Sequence, residues 1–279
     1  MRTRNGWRAG YTERCTSGSE GGSRKPAVAM QQGGGFLPYK TTTAVNLGYG
    51  LARAGKRVLV VDTDAQSNST YSLLGTLDQE QTLFDVLTQG AKLADIIVES
   101  VGQKGLFVAP SSINLSAADL LMASAPGREH KLARALNQVK ENFDYILIDT
   151  PPNLGVLTVN SFIACTDVII PIALTTYALI GISILETTMQ ELRENLDVSL
   201  PIFGVVANLD DHTRLSTDVL SAVREHFGDL VFDTVIPRNI KVEEAHNQIA
   251  CLFDYAPNST GAIAYSKLVK EVLQRAEGN

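Results

Sequence analysis

From residue 26 onward, short unbroken apolar runs alternate with longer stretches whose apolar positions recur at helical spacing. The runs Ala27–Met30, Arg57–Val61, Gly105–Ala109, Tyr145–Ile148, Val168–Ile172, Ile202–Ala207 and Leu230–Ile236 are continuous rather than alternating. That pattern predicts strands covered on both faces. Helices are predicted over Thr42–Ala54, Thr82–Gln89, Ser116–Met122, Gly127–Asn142, Asn160–Cys165, Ile180–Asn195, Ser216–Phe227 and Ala262–Ala276. Strand–helix alternation predicts an α/β fold, a three-layer doubly wound sheet that is mostly parallel. Right-handed crossovers then collect the loops after the strands along one edge, where ligands bind.

Residues 1–25 break the pattern. They are rich in Arg, Gly and Ser, with six basic and two acidic side chains. They read as a tail outside the folded domain, either disordered or a misassigned N-terminus, with a basic arm as the functional alternative. Residues 26–279 read as a single domain. The whole chain carries a formal charge of −6, which argues against a whole-protein electrostatic grip on nucleic acid and leaves a local patch open. Cys15, Cys165 and Cys251 are too scattered for a disulfide framework or a paired-cysteine metal site. No apolar run reaches the roughly 18–20 residues of a membrane span, so a cytoplasmic protein with no membrane association is expected.

Three segments carry chemistry. The first, Gln31-Gln32-Gly33-Gly34-Gly35-Phe36-Leu37-Pro38-Tyr39-Lys40-Thr41-Thr42, is a Gly-rich turn running into Lys-Thr at a helix start. That is the layout of a P-loop: backbone N–H groups cradle phosphates, the lysine adds a point charge and a hydroxyl ligates magnesium. The second, Val58-Leu59-Val60-Val61-Asp62-Thr63-Asp64, is an apolar strand ending in two carboxylates. One can order magnesium-bound water and the other an attacking water, and a solvated capping turn is the plainer alternative. The third, Tyr145-Ile146-Leu147-Ile148-Asp149-Thr150-Pro151-Pro152, again ends an apolar strand in an acid suited to magnesium.

In this order, and followed by Asn208-Leu209-Asp210-Asp211-His212 and Ile236-Pro237-Arg238-Asn239-Ile240-Lys241, these segments resemble the ParA/Soj branch of the ParA/MinD deviant Walker-type ATPases. The resemblance covers about residues 27–275 and implies a P-loop NTPase-like fold, with ATP and Mg²⁺ as cofactors. It assigns phosphate contacts to Gly33, Gly34, Lys40, Thr41 and Thr42, and the adenine border to Asn208 and Pro237. Magnesium falls to Thr41, Asp62 and Asp149. Catalysis falls to Asp64, which would orient the hydrolytic water, together with Lys40. The resemblance further implies an ATP-dependent homodimer, non-specific binding of double-stranded DNA through His212, Arg214, Arg238 and Lys241, a ParB-like stimulatory partner, and a nucleoid-associated location.

The loop departs from the family pattern Lys-Gly-Gly-x-Gly-Lys-Thr. Gln32 replaces the first lysine, and Gly35-Phe36-Leu37-Pro38-Tyr39 is longer than the x-Gly it replaces and lacks the glycine before Lys40. A tyrosine there is unsuited to a positive φ, and a proline offers no N–H. Either the protein is a degenerate, nucleotide-blind ParA-like adaptor, or its coding sequence is disturbed near the 5′ end. A MinD-like or cargo-positioning ATPase is a third reading.

Overall fold

The computed structural model describes residues 27–30, 39–153, 155–196 and 198–278. Among them is an eight-stranded sheet in the order β3-β4-β2-β5-β1-β6-β7-β8. Its strands are β1 Ala27–Met30, β2 Val58–Asp62, β3 Val98–Glu99, β4 Leu106–Ala109, β5 Tyr145–Asp149, β6 Asp167–Ala173, β7 Ile202–Asp210 and β8 Val231–Pro237. All neighbours run parallel except β3 with β4.

Successive strand residues point to opposite faces, and both faces are apolar, so the continuous runs are explained. Val58, Val60, Tyr145 and Leu147 turn toward helices α1 (Tyr39–Arg53) and α12 (Thr260–Glu277). Leu59, Val61, Ile146 and Ile148 turn to the other layer. That layer holds α3 (Leu83–Thr88), α4 (Leu93–Ile96), α5 (Ala118–Met122), α6 (Lys131–Asn137) and α7 (Val156–Ala164). Further along the same face, β6 and β7 pack against α8 (Ala178–Leu196) and α9 (Arg214–Phe227). The predicted three-layer, doubly wound arrangement is the one observed.

Gly50 sets the approach of two helices in the first layer. At Gly50 in α1 an added Cβ would fall 2.3 Å from Val269 Cγ2 of α12, so only hydrogen fits between these helices. At the sheet edge, the Glu271 carboxylate of α12 accepts hydrogen bonds from Asp233 N (2.8 Å), Thr234 N (2.9 Å) and the Thr234 hydroxyl.

Four helices lie outside the predicted set: α2 (Asn68–Leu74), α4, α10 (Ile240–Asn247) and α11 (Leu252–Tyr255). The single helix predicted over 127–142 is instead α6 flanked by two 3₁₀ turns, Arg128–His130 and Lys140–Asn142. Among the described residues no helix is long and apolar enough to cross a membrane.

Candidate functional site

Asp62 and Asp149 end β2 and β5 and are register partners, so two carboxylates are set side by side at the C-terminal edge of the strands. Lys40, in the first turn of α1, points into the same place. Its Nζ lies 4.0 Å from Asp149 Oδ1 and 3.5 Å from Thr150 Oγ1. Lys40, Thr41, Asp62 and Asp149 are all buried.

Helix α2 fixes both acids. Ser69 Oγ donates to Asp149 Oδ2 at 2.8 Å. Thr70 donates twice to Asp62 Oδ2, from its backbone N at 2.8 Å and its hydroxyl at 2.7 Å. Asp64 N donates to Asp62 Oδ1 at 3.1 Å. The Thr70 hydroxyl in turn accepts from Ser111 N at 2.9 Å, which ties in the loop after β4. Asp64 lies further out, half-buried, and accepts from Gln66 N at 2.9 Å. Ser69, Thr70 and Ser111 are not among the residues the sequence singles out. The local signal for them is a hydroxyl-rich run, Ser67-Asn68-Ser69-Thr70, just past the second carboxylate.

Burial dominates the electrostatics. It lowers the Lys40 pKa, while the charges of Asp149, Asp64 and Asp62 pull it back up. It raises Asp62 to about 7, helped by the like charge of Asp149 and opposed by the Thr70 and Asp64 hydrogen bonds. It raises Asp149 too, against the Lys40 charge and the Ser69 and Thr41 hydroxyls. At 4.0 Å the Lys40–Asp149 attraction does not make up for the water both groups have lost.

One atom points to what the cluster is for. Asp149 Oδ1 is buried with no hydrogen-bond partner among the described residues. A buried orphan oxygen asks for an explanation, and a second carboxylate and the Thr41 hydroxyl are close by. An all-oxygen donor set of this kind fits a hard divalent cation that keeps much of its water, such as magnesium.

Gln32, Gly33 and Gly34 lie outside the described residues. Tyr39 does not occupy a strained turn: it is the first residue of α1, is absent from the positive-φ residues and is buried. Burial pushes its phenol up to about 12, against a hydrogen bond at the Ala173 backbone. Thr42, one residue past Thr41, is half-buried.

The remaining expected residues fall on the neighbouring strand ends. Asn208 is buried in β7, where its Nδ2 donates to Thr43 Oγ1 at 3.0 Å and its Oδ1 accepts from Leu209 N at 2.9 Å. Its side chain is therefore engaged with α1. Pro237 ends β8 opposite Asp210, and Arg238 N donates to Asp210 O at 2.8 Å. His212, Arg214, Arg238 and Lys241 are all exposed at this end of β7 and β8. Two of them have acidic partners: His212 Nδ1 lies 2.9 Å from Asp210 Oδ2, and Lys241 Nζ 2.7 Å from Glu244 Oε2. Among the described residues no His, Cys, Asp and Glu group has the geometry of a protein-only metal cage.

A doubly wound sheet with a helix-start lysine between strand-end acids defines a P-loop NTPase-like protein. Comparison with known proteins narrows this. A family model described as "AAA domain" matches residues 23–202. The chain is 42% identical over 248 residues to the sporulation initiation inhibitor protein Soj of Bacillus subtilis, covering 88% of this chain and 96% of that protein. It is 40% identical over 253 residues to the chromosome partitioning protein ParA of Caulobacter vibrioides, covering 89% and 93%. Among solved structures, cobyrinic acid a,c-diamide synthase from Mycobacterium smegmatis, with bound ATP analog and magnesium, superposes with a TM-score of 0.78. The identity is 30%, over 92% of this chain and 98% of that one. The ATP complex of a McdA variant from Cyanothece also gives 0.78, at 25% identity over 91% and 98%. The chain belongs to the ParA/Soj-type deviant Walker-A ATPases.

Proposed function

We propose that this protein is an ATP-dependent DNA-segregation ATPase. It closes into a homodimer on Mg-ATP, binds double-stranded DNA without sequence preference, and hydrolyses ATP under a ParB-like partner. The observation that carries the reading is the convergence of Lys40, Asp62 and Asp149, with one carboxylate oxygen left over for a cation. The bound ligands of the cobyrinic acid a,c-diamide synthase and McdA structures support the choice of ATP and magnesium.

The roles follow from position. Lys40 supplies a positive charge to the phosphates from the start of α1. Thr41 and Asp149 would hold magnesium, directly or through its waters, and Asp62 would order those waters. Bound magnesium supplies charge neutralisation on the phosphates. Asp64, half-buried at the rim, accepts a hydrogen bond from the attacking water and sets its line of approach. Exposed His212, Arg214, Arg238 and Lys241 would meet DNA phosphates, which carry affinity but no sequence information.

A second reading, the nucleotide-blind adaptor, is favoured by Gln32 and the lengthened Gly35–Tyr39 segment. Calorimetric titration with Mg-ATP separates the two. Micromolar binding that disappears in Lys40→Ala supports the ATPase. No heat up to millimolar ATP supports the adaptor.

A further inference from the structure

The contacts of helix α2 extend beyond the two acids. On one side it holds Asp149 through Ser69 and Asp62 through Thr70. On another it is gripped by the segment that starts with α10. His246 Nδ1 lies 2.9 Å from Ser72 Oγ, nearer than its Nε2 at 3.2 Å. Three residues on in each element, Ile249 seats against Gly75: a Cβ added at Gly75 would lie 3.3 Å from Ile249 Cγ2. Both residues are left-handed, Gly75 at φ 72° and Ile249 at φ 53°. A β-branched residue rarely adopts that backbone, so the turn after α10 is over-determined by its contact with α2.

Ser72 Oγ also lies 2.6 Å from Asn68 O. It is within 3.2 Å of both ring nitrogens, and the direction of the contact follows the His246 tautomer. Burial lowers the His246 pKa and so favours the neutral ring. The same helix α10 carries exposed Lys241 near its N-terminus.

We infer that His246 is a positioning residue for the candidate site. Through its contact with Ser72 Oγ it sets the seat of α2, and through Thr70 and Ser69 the aim of Asp62 and Asp149. It touches neither acid. Helix α10 and the cation-facing carboxylates therefore move as one body, and whatever shifts α10 is felt at the acids.

The test uses the full chain with His246→Ala, His246→Gln and Ser72→Ala. The first readout needs no nucleotide: amide hydrogen exchange of α2. His246→Ala and Ser72→Ala should each speed exchange of the Thr70–Gly75 amides about tenfold while β5 stays protected. His246→Gln, whose amide offers both a donor and an acceptor, should restore most of the protection. The second readout, which rests on the ATPase reading, is nucleotide affinity with and without magnesium. His246→Ala should lower the gain in affinity that magnesium provides about fivefold and leave magnesium-free affinity unchanged. Ser72→Ala should match it, and the double variant should not add to either. Unchanged α2 exchange overturns the inference, and so does a normal magnesium gain in a variant whose α2 exchanges fast. A wild-type chain that binds no Mg-ATP overturns the ATPase reading instead, and the exchange data then decide the inference alone.

Discussion

Asp62 and Asp149 sit directly across from each other in the register of β2 and β5, both fully buried, with the Lys40 ammonium 4.0 Å from Asp149. Two acids and one lysine leave an excess negative charge among buried groups. The pair therefore holds protons to higher pH than ordinary carboxylates do.

That gives a stability signature. Asp62 titrates near 7 in the folded protein against 3.8 for an ordinary aspartate, and Asp149 is also raised. The folded state thus binds more protons than the unfolded chain between about pH 4 and about pH 7, so stability from this pair falls as pH rises through that window. Urea midpoints in magnesium-free buffer should show the fall. Asp62→Asn should flatten it, and the difference from wild type removes the opposite contribution of His246, whose lowered pKa costs stability as pH falls.

Asp64→Ala should separate binding from chemistry. The side chain is half-buried and outside the buried pair, so Mg-ATP affinity should stay within about threefold while single-turnover phosphate release drops at least ~100-fold. Equal losses in both would move Asp64 from water positioning to ground-state binding.

Thr70 is the more costly loss for the fold. Thr70→Val removes a hydroxyl that donates to buried Asp62 and accepts from Ser111 N. Stability should drop by about 1–3 kcal/mol, because Ser111 N loses its acceptor and Asp62 Oδ2 keeps only the Thr70 backbone N–H, and Thr70→Ser should recover most of it. Denaturant unfolding of the three proteins gives the comparison.

Gly50→Ala tests the contact between α1 and α12. A methyl 2.3 Å from Val269 Cγ2 forces the helices apart, at a cost of about 1–3 kcal/mol despite alanine's better helix propensity. Val269→Ala in the same chain should relieve part of that cost, which a thermal melt of the double variant would reveal.

The DNA assignment has a salt test. If Arg214 and Arg238 each meet a phosphate, changing either to alanine should weaken binding to any duplex and reduce the slope of log affinity against log salt by about 1. Lys241→Ala should do less, since Glu244 already sits 2.7 Å from its ammonium.

Much of this arrangement is legible in the sequence. Seven strands announce themselves as apolar runs, most of them because they are buried on both faces; edge strand β8 is the exception, with Asp233 exposed. The eighth, β3, has two exposed residues and so gives no pattern. The acids at the strand ends are legible for the same reason: each follows directly on a run that must stop at the sheet's edge. Helix α2 is not legible. Asn68-Ser69-Thr70 reads as a turn, since those side chains compete with the backbone for hydrogen bonds. Here Asp62 and Asp149 engage Ser69 and Thr70, which leaves the backbone to close its own helix. Helices α10 and α11 are short, and their packing against neighbours rather than their own periodicity holds them. Tyr39 shows the converse. As a loop residue it is an obstacle, and as the first residue of α1 it is one more core side chain.

The Glu271 carboxylate has a consequence for the protein at high concentration. Strand β8 is the last in its sheet, and an edge strand with open amides is a template on which another chain can add a strand. Glu271 occupies two of those amides with a negative charge from the same molecule. The growth of the sheet is stopped by its own C-terminal helix, so self-association of this protein has to take a route other than strand addition at that segment of β8.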